Sequence, residues 1–213
     1  MGIVGAYGKM PGLGDFFRIN ARAGFVASWD AWLQTGLATV RGALAGRWQG
    51  CYMSAPIWRF TLEPAVAGRM AAQGVLMPSV DRVGRTFPLT LMWPGPRGGL
   101  AAHLEATPFF ERLEDIALGT LDGCPRAALA AEITPLIPVT DPDATLPAAP
   151  LAAGLDPASP RARTIWTAEL EGETRLLACR GLPEGPEMLG LFDLDAPIWP
   201  QPETGGAHEH PAP

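Results

Sequence analysis

The 213-residue sequence has little of the chemistry that disulfide frameworks, metal sites and imidazole catalysis require. Its three cysteines form no CxxC pair, so reduced core thiols are expected rather than a disulfide frame or a zinc site. The cysteines are Cys51, Cys124 and Cys179. Two of the three histidines, His208 and His210, lie close to the C-terminal end, which leaves His103 as the one other imidazole. We therefore expect no metal and no cofactor.

Long apolar runs and an excess of positive charge are also missing. No stretch approaches 18 apolar residues, so no membrane span is expected. The chain starts without a basic segment, and its first apolar run stops at Lys9, so we expect no signal peptide. Sixteen basic against 22 acidic residues give a net charge of −6, which disfavours nucleic acid as a partner. These absences together predict a cytoplasmic protein.

What the sequence does contain is enough apolar material for one large domain. Apolar residues make up 47% and charged residues 18%, as in globular proteins. We assign residues 1–200 to a single domain and residues 201–213 to a disordered tail, with polar, proline-rich sequence from Pro197 onward. Residues 134–160 hold seven prolines and are predicted to form an irregular insert.

The sequence is organised around the stretch from Gly74 to Met92, where two apolar runs flank a charged centre. Val75–Met77 is typical of a buried strand, and Phe87, Leu89 and Leu91 alternate as a second strand would. Between them, residues 81–85 supply the Asp and Gly of a turn. A central hairpin with a carboxylate and two guanidinium groups at its tip is predicted.

Helical and strand patterns alternate along the rest of the chain. The predicted elements are a helix over 28–44 capped by Ser28, a half-buried strand within 50–62, a connection over 68–73, a loop over 94–99, helices from Thr107 and over 125–133, a hairpin of 163–170 with 174–180, and a short helix over 187–192. Hairpin-like pairs without regular βαβ alternation predict an α/β (α+β) single domain with a mostly antiparallel sheet flanked by helices.

A glycine-rich first loop follows the opening strand, from Gly8 to Arg18. It fails as a phosphate-binding P-loop, because Ile3 stands where the first glycine belongs and Met10 where Ser or Thr must follow the lysine. It fails as a dinucleotide fingerprint, because Phe17 replaces the third glycine. We interpret it as a tight corner that Asp15 and Arg18 hold closed, with a ligand-binding loop as the alternative.

The charged residues of the two loops form our candidate site, either a partner-binding surface or a structural polar cluster. Its members are Lys9, Asp15, Arg18, Ser79, Asp81, Arg82 and Arg85. Because buried charges persist only when paired, Asp15, Arg18, Asp81 and Arg85 are expected to lie close together.

Two catalytic alternatives stay open beside this site. Lys9, Arg82 and Arg85 would converge on a phosphate or carboxylate in a ligand sensor or enzyme. Cys51 with His103 is the nucleophile pair that the composition allows, but a buried small thiol is the simpler interpretation of Cys51.

Several segments, in this order along the chain, resemble the TagF (also called ImpM) proteins of bacterial type VI secretion systems. They are Gly8-Lys9-Met10-Pro11, Gly14-Asp15-Phe16, Trp29-Asp30-Ala31-Trp32-Leu33, Ala55-Pro56-Ile57-Trp58-Arg59-Phe60, the run from Gly74 to Arg85, Phe87-Pro88-Leu89, Thr164-Ile165-Trp166-Thr167 and Gly181-Leu182-Pro183. The sequence departs from the family at Gly12-Leu13, where its members usually carry a Ser-His pair, so no role of that histidine is carried over.

The resemblance implies a cytoplasmic accessory protein without catalytic activity. Such a protein would repress assembly of the secretion system after translation, by binding the system's forkhead-associated scaffold protein.

Overall fold

Seven strands form one antiparallel sheet in the computed structural model, which describes residues 2–145 and 162–199. The strands are β1 (Gly5–Gly8), β2 (Phe17–Ile19), β3 (Trp58–Leu62), β4 (Ala71–Met77), β5 (Leu89–Gly95), β6 (Thr164–Leu170) and β7 (Glu173–Cys179). Their order is β2-β1-β5-β4-β3-β6-β7, and every neighbouring pair is antiparallel. The predicted fold class is confirmed.

Helices cover both faces of this sheet. They are α1 (Ala23–Leu44), α2 (Trp48–Ser54), α3 (Gly99–Glu105), α4 (Thr107–Gly119), α5 (Arg126–Ile133) and α6 (Pro186–Gly190). Side chains of α1, α2 and α6 belong to one core cluster and those of α4 and α5 to a second. Within the described residues, no helix combines the length and the apolar character that crossing a membrane requires.

The central hairpin pairs β4 with β5, from Met77 opposite Leu89 to Ala71 opposite Gly95. Alternate residues of β4 point into different cores: Leu76 joins the first cluster, whereas Val75 joins the second. Because both faces are covered, every residue of β4 is buried, and the strand is apolar without alternation except at Gln73, whose amide donates to the Ala102 carbonyl. β4 is the middle strand of the seven, so the predicted central position of the hairpin is confirmed.

Two predicted elements near the start of the chain are wrong in their bounds. α1 begins at Ala23 rather than at Ser28, whose hydroxyl donates a hydrogen bond to the Gly24 carbonyl inside the helix instead of capping it. Residues 50–54 belong to α2, and only residues 58–62 form the strand. That strand is fully buried, not half-buried, because helices pack on both of its faces.

Two connections near the central hairpin are also corrected. β4 already begins at Ala71, inside the predicted connection. β5 extends into the predicted loop over 94–99 and ends at Gly95. Pro94 lies opposite Ala72 of β4 but beyond Met92, the last residue of β5 that pairs with β1, so it interrupts no pairing with that strand. α3 then begins at Gly99, where a loop was predicted.

The proline-rich insert and the tail are described only in part. Residues 134–145 contain no helix or strand, and Leu136 packs against the second core. The remainder of the predicted insert, and the predicted disordered tail at 201–213, lie outside the described residues. Residues 197–199 are not a polar tail: Trp199 is buried and stacks on Trp58 with ring centroids 5.8 Å apart.

Candidate functional site

The turn at the tip of the central hairpin is built around one buried carboxylate, that of Asp81. Its Oδ1 accepts hydrogen bonds from the backbone amides of Val83 and Arg85, each 3.0 Å long. Its Oδ2 accepts from Lys9 Nζ at 3.0 Å and from Arg85 Nε at 2.6 Å. Burial alone would raise the pKa of Asp81, but the hydrogen bonds from Arg85, Lys9 and Val83 outweigh it and hold that pKa well below its usual range.

Lys9 is the single lysine of the sequence, and its side chain is only 7% exposed. Gly8, at the end of β1, determines where Lys9 lies. Gly8 has φ +132°, and the Pro88 carbonyl occupies the space of a Cβ, so no other residue fits at this position. The Lys9 ammonium lies 5.0 Å from the centroid of the Phe16 ring as well as against Asp81. Because Lys9 of the first loop forms its ion pair with Asp81 of the hairpin turn, it joins these two segments.

Backbone contacts complete that junction. The amide of Arg82 donates to the Leu13 carbonyl at 2.8 Å, and Arg85 Nη2 donates to the Gly14 carbonyl at 2.6 Å. The first loop and the hairpin turn are therefore held together through Lys9, Asp81 and Arg85, three of the seven predicted site residues.

Asp15 and Arg18 do not join this ionic cluster, and the prediction that they hold the first loop closed is wrong. Asp15 Oδ1 accepts a hydrogen bond from the next amide, that of Phe16. The Arg18 guanidinium has no ion pair with any described residue, because β2 pairs with β1 in a register that leaves the Arg18 side chain exposed. Arg85, which is distant in sequence, closes the loop instead.

Ser79 lies beneath the turn and is buried. Tyr52 holds its backbone, accepting from the Ser79 amide at 3.0 Å and donating to the Ser79 carbonyl at 2.7 Å. Burial raises the pKa of the Tyr52 hydroxyl, so it stays a neutral donor. The Ser79 hydroxyl has no hydrogen-bond partner among the described residues, and the main chain of Ser79 carries its structural role.

Three side chains on the outer side of this junction face solvent; we call Phe16, Arg82 and Val83 the tip surface. Val83 is 69% exposed and Phe16 41% exposed. The Arg82 side chain is exposed, and its guanidinium has no hydrogen bond or ion pair with any described residue. Arg82 is among the residues predicted from the sequence, whereas Phe16 and Val83 are not, although a β-branched apolar residue inside a charged turn is itself a signal.

His103 is buried, and both of its ring nitrogens contact threonine hydroxyls. Its Nδ1 lies 2.9 Å from the Thr61 hydroxyl and its Nε2 2.8 Å from the Thr167 hydroxyl. Burial, aided by the nearby Arg59 guanidinium, lowers the pKa of His103 to about 3. Cys51 packs on the first core, on the other face of the sheet, so the two residues form no nucleophile pair.

The buried His103 predicts a loss of stability in acid. Its folded pKa of about 3 lies below the ordinary value of 6.5, so between these pH values the unfolded chain binds the extra proton and the free energy of unfolding falls as pH falls. From pH 7.5 to 4.5 the wild type should lose about 2–3 kcal/mol more than His103→Gln, whose amide can still hydrogen-bond both threonines. Urea unfolding of the two proteins at both pH values measures this difference, and equal losses would contradict a neutral buried imidazole.

In the described part of the chain, no group of three or more His, Cys, Asp or Glu side chains is arranged to hold a metal ion.

Comparison with known proteins agrees with the sequence resemblance. The family described as "TagF N-terminal domain, Type VI secretion system-associated" matches residues 5–134. That match includes the first loop, the central hairpin and all seven candidate site residues. A search of curated proteins found no match.

Among solved structures, the fold is similar to the crystal structure of PA0076 from Pseudomonas aeruginosa PAO1. The TM-score is 0.71 at 28% sequence identity, over 93% of this chain and 97% of that one. Since the family match spans more than half of the sequence, the chain belongs to the TagF family of type VI secretion system-associated proteins.

Proposed function

We propose that this protein represses assembly of a type VI secretion system after translation, by binding the system's forkhead-associated scaffold protein through the tip surface. It acts in the cytoplasm by occupying the scaffold and has no turnover of its own. Family membership supports the association with the secretion system, and the geometry of the tip surface supports binding as the mode of action.

The observation that carries the proposal is an exposed cation beside exposed apolar groups on a rigid support. Arg82 and Val83 project from a turn that the four hydrogen bonds to Asp81 fix in one conformation. Phe16 is locked beside them by an edge-to-face contact with Phe87 at 4.7 Å. Arginine and aromatic side chains concentrate binding energy at protein interfaces, and a preordered surface loses little entropy on binding.

The absence of turnover is proposed because the two candidate proton-transfer groups, Lys9 and His103, are engaged in the fold. Lys9 is buried against Asp81, and both ring nitrogens of His103 contact threonine hydroxyls. A base or nucleophile in such a position has no route to a substrate without breaking the core.

The geometry does not favour the alternative of a phosphate or small-ligand site made by Lys9, Arg82 and Arg85. Lys9 and Arg85 both donate to the Asp81 carboxylate, and Arg85 also donates to the Gly14 carbonyl, whereas the Arg82 guanidinium has no hydrogen bond or ion pair with any described residue. Two of the three cations are therefore already paired with Asp81, and they share its one carboxylate.

Overproduction in a bacterium with an active type VI system tests the proposed function. The wild type should silence secretion, and Arg82→Ala should relieve silencing, because the exposed guanidinium contributes to the partner contact rather than to the fold. Secretion of a system substrate into the medium is the readout, and the melting temperature of Arg82→Ala should stay within about 2 °C of the wild type.

Arg112→Ala is the matched control, since Arg112 is an exposed arginine of α4 whose ion pair with Glu132 lies on the surface. It should silence as well as the wild type. If Arg82→Ala silences secretion as strongly as Arg112→Ala does, binding of the partner through the tip surface is contradicted. A hydrolytic or transferase activity that stays with the homogeneous protein and disappears in Lys9→Ala would contradict the absence of turnover.

A further inference from the structure

A groove of about 510 Å³ opens at the end of the central hairpin opposite the tip surface. Its floor is the start of β4 and the end of β5, with Ala71, Ala72, Met92 and Pro94. Seven paired residues separate this end from the turn, which corresponds to roughly 20 Å along the strands. The groove has the volume of small-molecule sites, which typically hold about 300–1,000 Å³.

The walls of the groove are apolar. Phe25 from the first turn of α1 stands on one side, and Val66 and Met70 from the segment before β4 stand on the other. Phe25 stacks on Trp29 with ring centroids 5.1 Å apart, so this wall is anchored in the first core. A ligand with an apolar body would therefore displace water from a preformed surface.

Positive charge lies at the rim of this groove. Arg22 and Arg69 line it, and no acidic residue does, although the protein as a whole carries a net charge of −6. Neither guanidinium forms an ion pair with any described acidic group; Arg22 Nη1 contacts only the sulfur of Met70, at 3.4 Å. α1 begins beside them without a side-chain cap and without an acidic residue in its first turn. The groove thus combines an apolar interior with two guanidinium groups that have no acidic partner among the described residues.

The backbone around the groove departs from ordinary conformations at two points. Ala65 has φ +66° and Asn20 has φ +50°. Asparagine tolerates this region, but alanine is strained there because its Cβ approaches the following carbonyl oxygen. Conformations of this kind concentrate where a fold clamps a ligand.

We propose that this groove binds a small amphipathic anion, an apolar body that carries one carboxylate. The apolar part would lie on the floor between Phe25 and Met70, and the carboxylate would accept hydrogen bonds from Arg22 and Arg69. This site is separate from the tip surface and from the proposed contact with the scaffold.

Calorimetric titration of the purified full chain tests the proposal with decanoate as the probe. The wild type should bind decanoate at one saturable site. Acetate, which has the charge without the apolar body, and decyltrimethylammonium, which has the opposite charge, should show no saturable site at the same concentrations. The double variant Arg22→Gln/Arg69→Gln should bind decanoate about a hundredfold more weakly, since each of the two lost charged hydrogen bonds is worth a factor of about ten.

Arg112→Gln/Arg126→Gln is the matched control, with the same change in net charge at two arginines outside the groove. It should bind decanoate as the wild type does. Absence of saturable binding, equal affinities of the two double variants, or equal binding of decyltrimethylammonium would each overturn the proposal. The groove variant should also silence secretion normally, which separates this site from the proposed function.

Discussion

Asp81→Asn is expected to lower the melting temperature of the protein by on the order of 10 °C. The substitution removes the counter-charge of Lys9, whose ammonium is almost fully buried, and places amide donors where two cations already donate. A buried cation without its partner is among the costliest single changes in a protein. Because Asp81 also holds the amides of Val83 and Arg85, the turn should loosen together with the junction to the first loop.

Two further variants separate this cause from a general effect of charge. Asp115→Asn changes the net charge identically on the exposed side of α4 and should shift the melting temperature by no more than about 2 °C. Lys9→Met in the Asp81→Asn background should restore part of the loss, because it removes the unpaired ammonium. Thermal melts by circular dichroism give all three values, and an Asp81→Asn melt equal to that of Asp115→Asn would contradict a central role of the carboxylate.

Gly74→Ala should destabilise the protein by about 3 kcal/mol or more. A Cβ at this position would stand 2.1 Å from the Leu91 carbonyl oxygen and 2.8 Å from the Phe60 ring. Gly74 lies in the middle strand, between β3 and β5, so neither neighbour moves without disturbing the whole sheet. Close packing of backbone, rather than a special φ, explains the glycine.

Gly42→Ala is the matched control, since nothing lies within 4 Å of a Cβ at this exposed helical position. It should stabilise the protein by about 0.5–1 kcal/mol, because alanine loses less conformational freedom than glycine in a helix. Urea unfolding measures both variants. The same sign of change for both would show that the close contacts at Gly74 do not decide the outcome.

The central hairpin can be predicted from sequence because its signals are local. Two apolar segments flank a turn, and the pair Asp81–Arg85 forms across four residues. The fold class follows from such hairpins. The pairing of Asp81 with Lys9 cannot be predicted from local sequence, because Lys9 lies 72 residues away in the chain and only the sheet order brings it close.

Errors in the prediction arise where tertiary packing overrides local pattern. Arg59 and Thr61 alternate with large apolar residues, a pattern typical of a half-buried strand, yet α3 and α4 bury them, with Arg59 in a bidentate pair to Glu114. α3 was not predicted, because the glycines at its start are typical of a loop. Asp15 and Arg18 lie three residues apart in sequence, but Asp15 accepts a hydrogen bond from the Phe16 amide and the Arg18 side chain is exposed on β2, so the two form no ion pair.

The central claim, that the tip surface binds the forkhead-associated scaffold, is tested most directly by the affinity between the two purified proteins. Titration of the scaffold with wild-type protein should give saturable binding, and Arg82→Ala/Val83→Ser should weaken it at least about tenfold while the melting temperature stays within about 2 °C. Arg112→Ala should bind as the wild type does. A wild type without measurable affinity for the scaffold, or a tip variant with unchanged affinity, would contradict the claim.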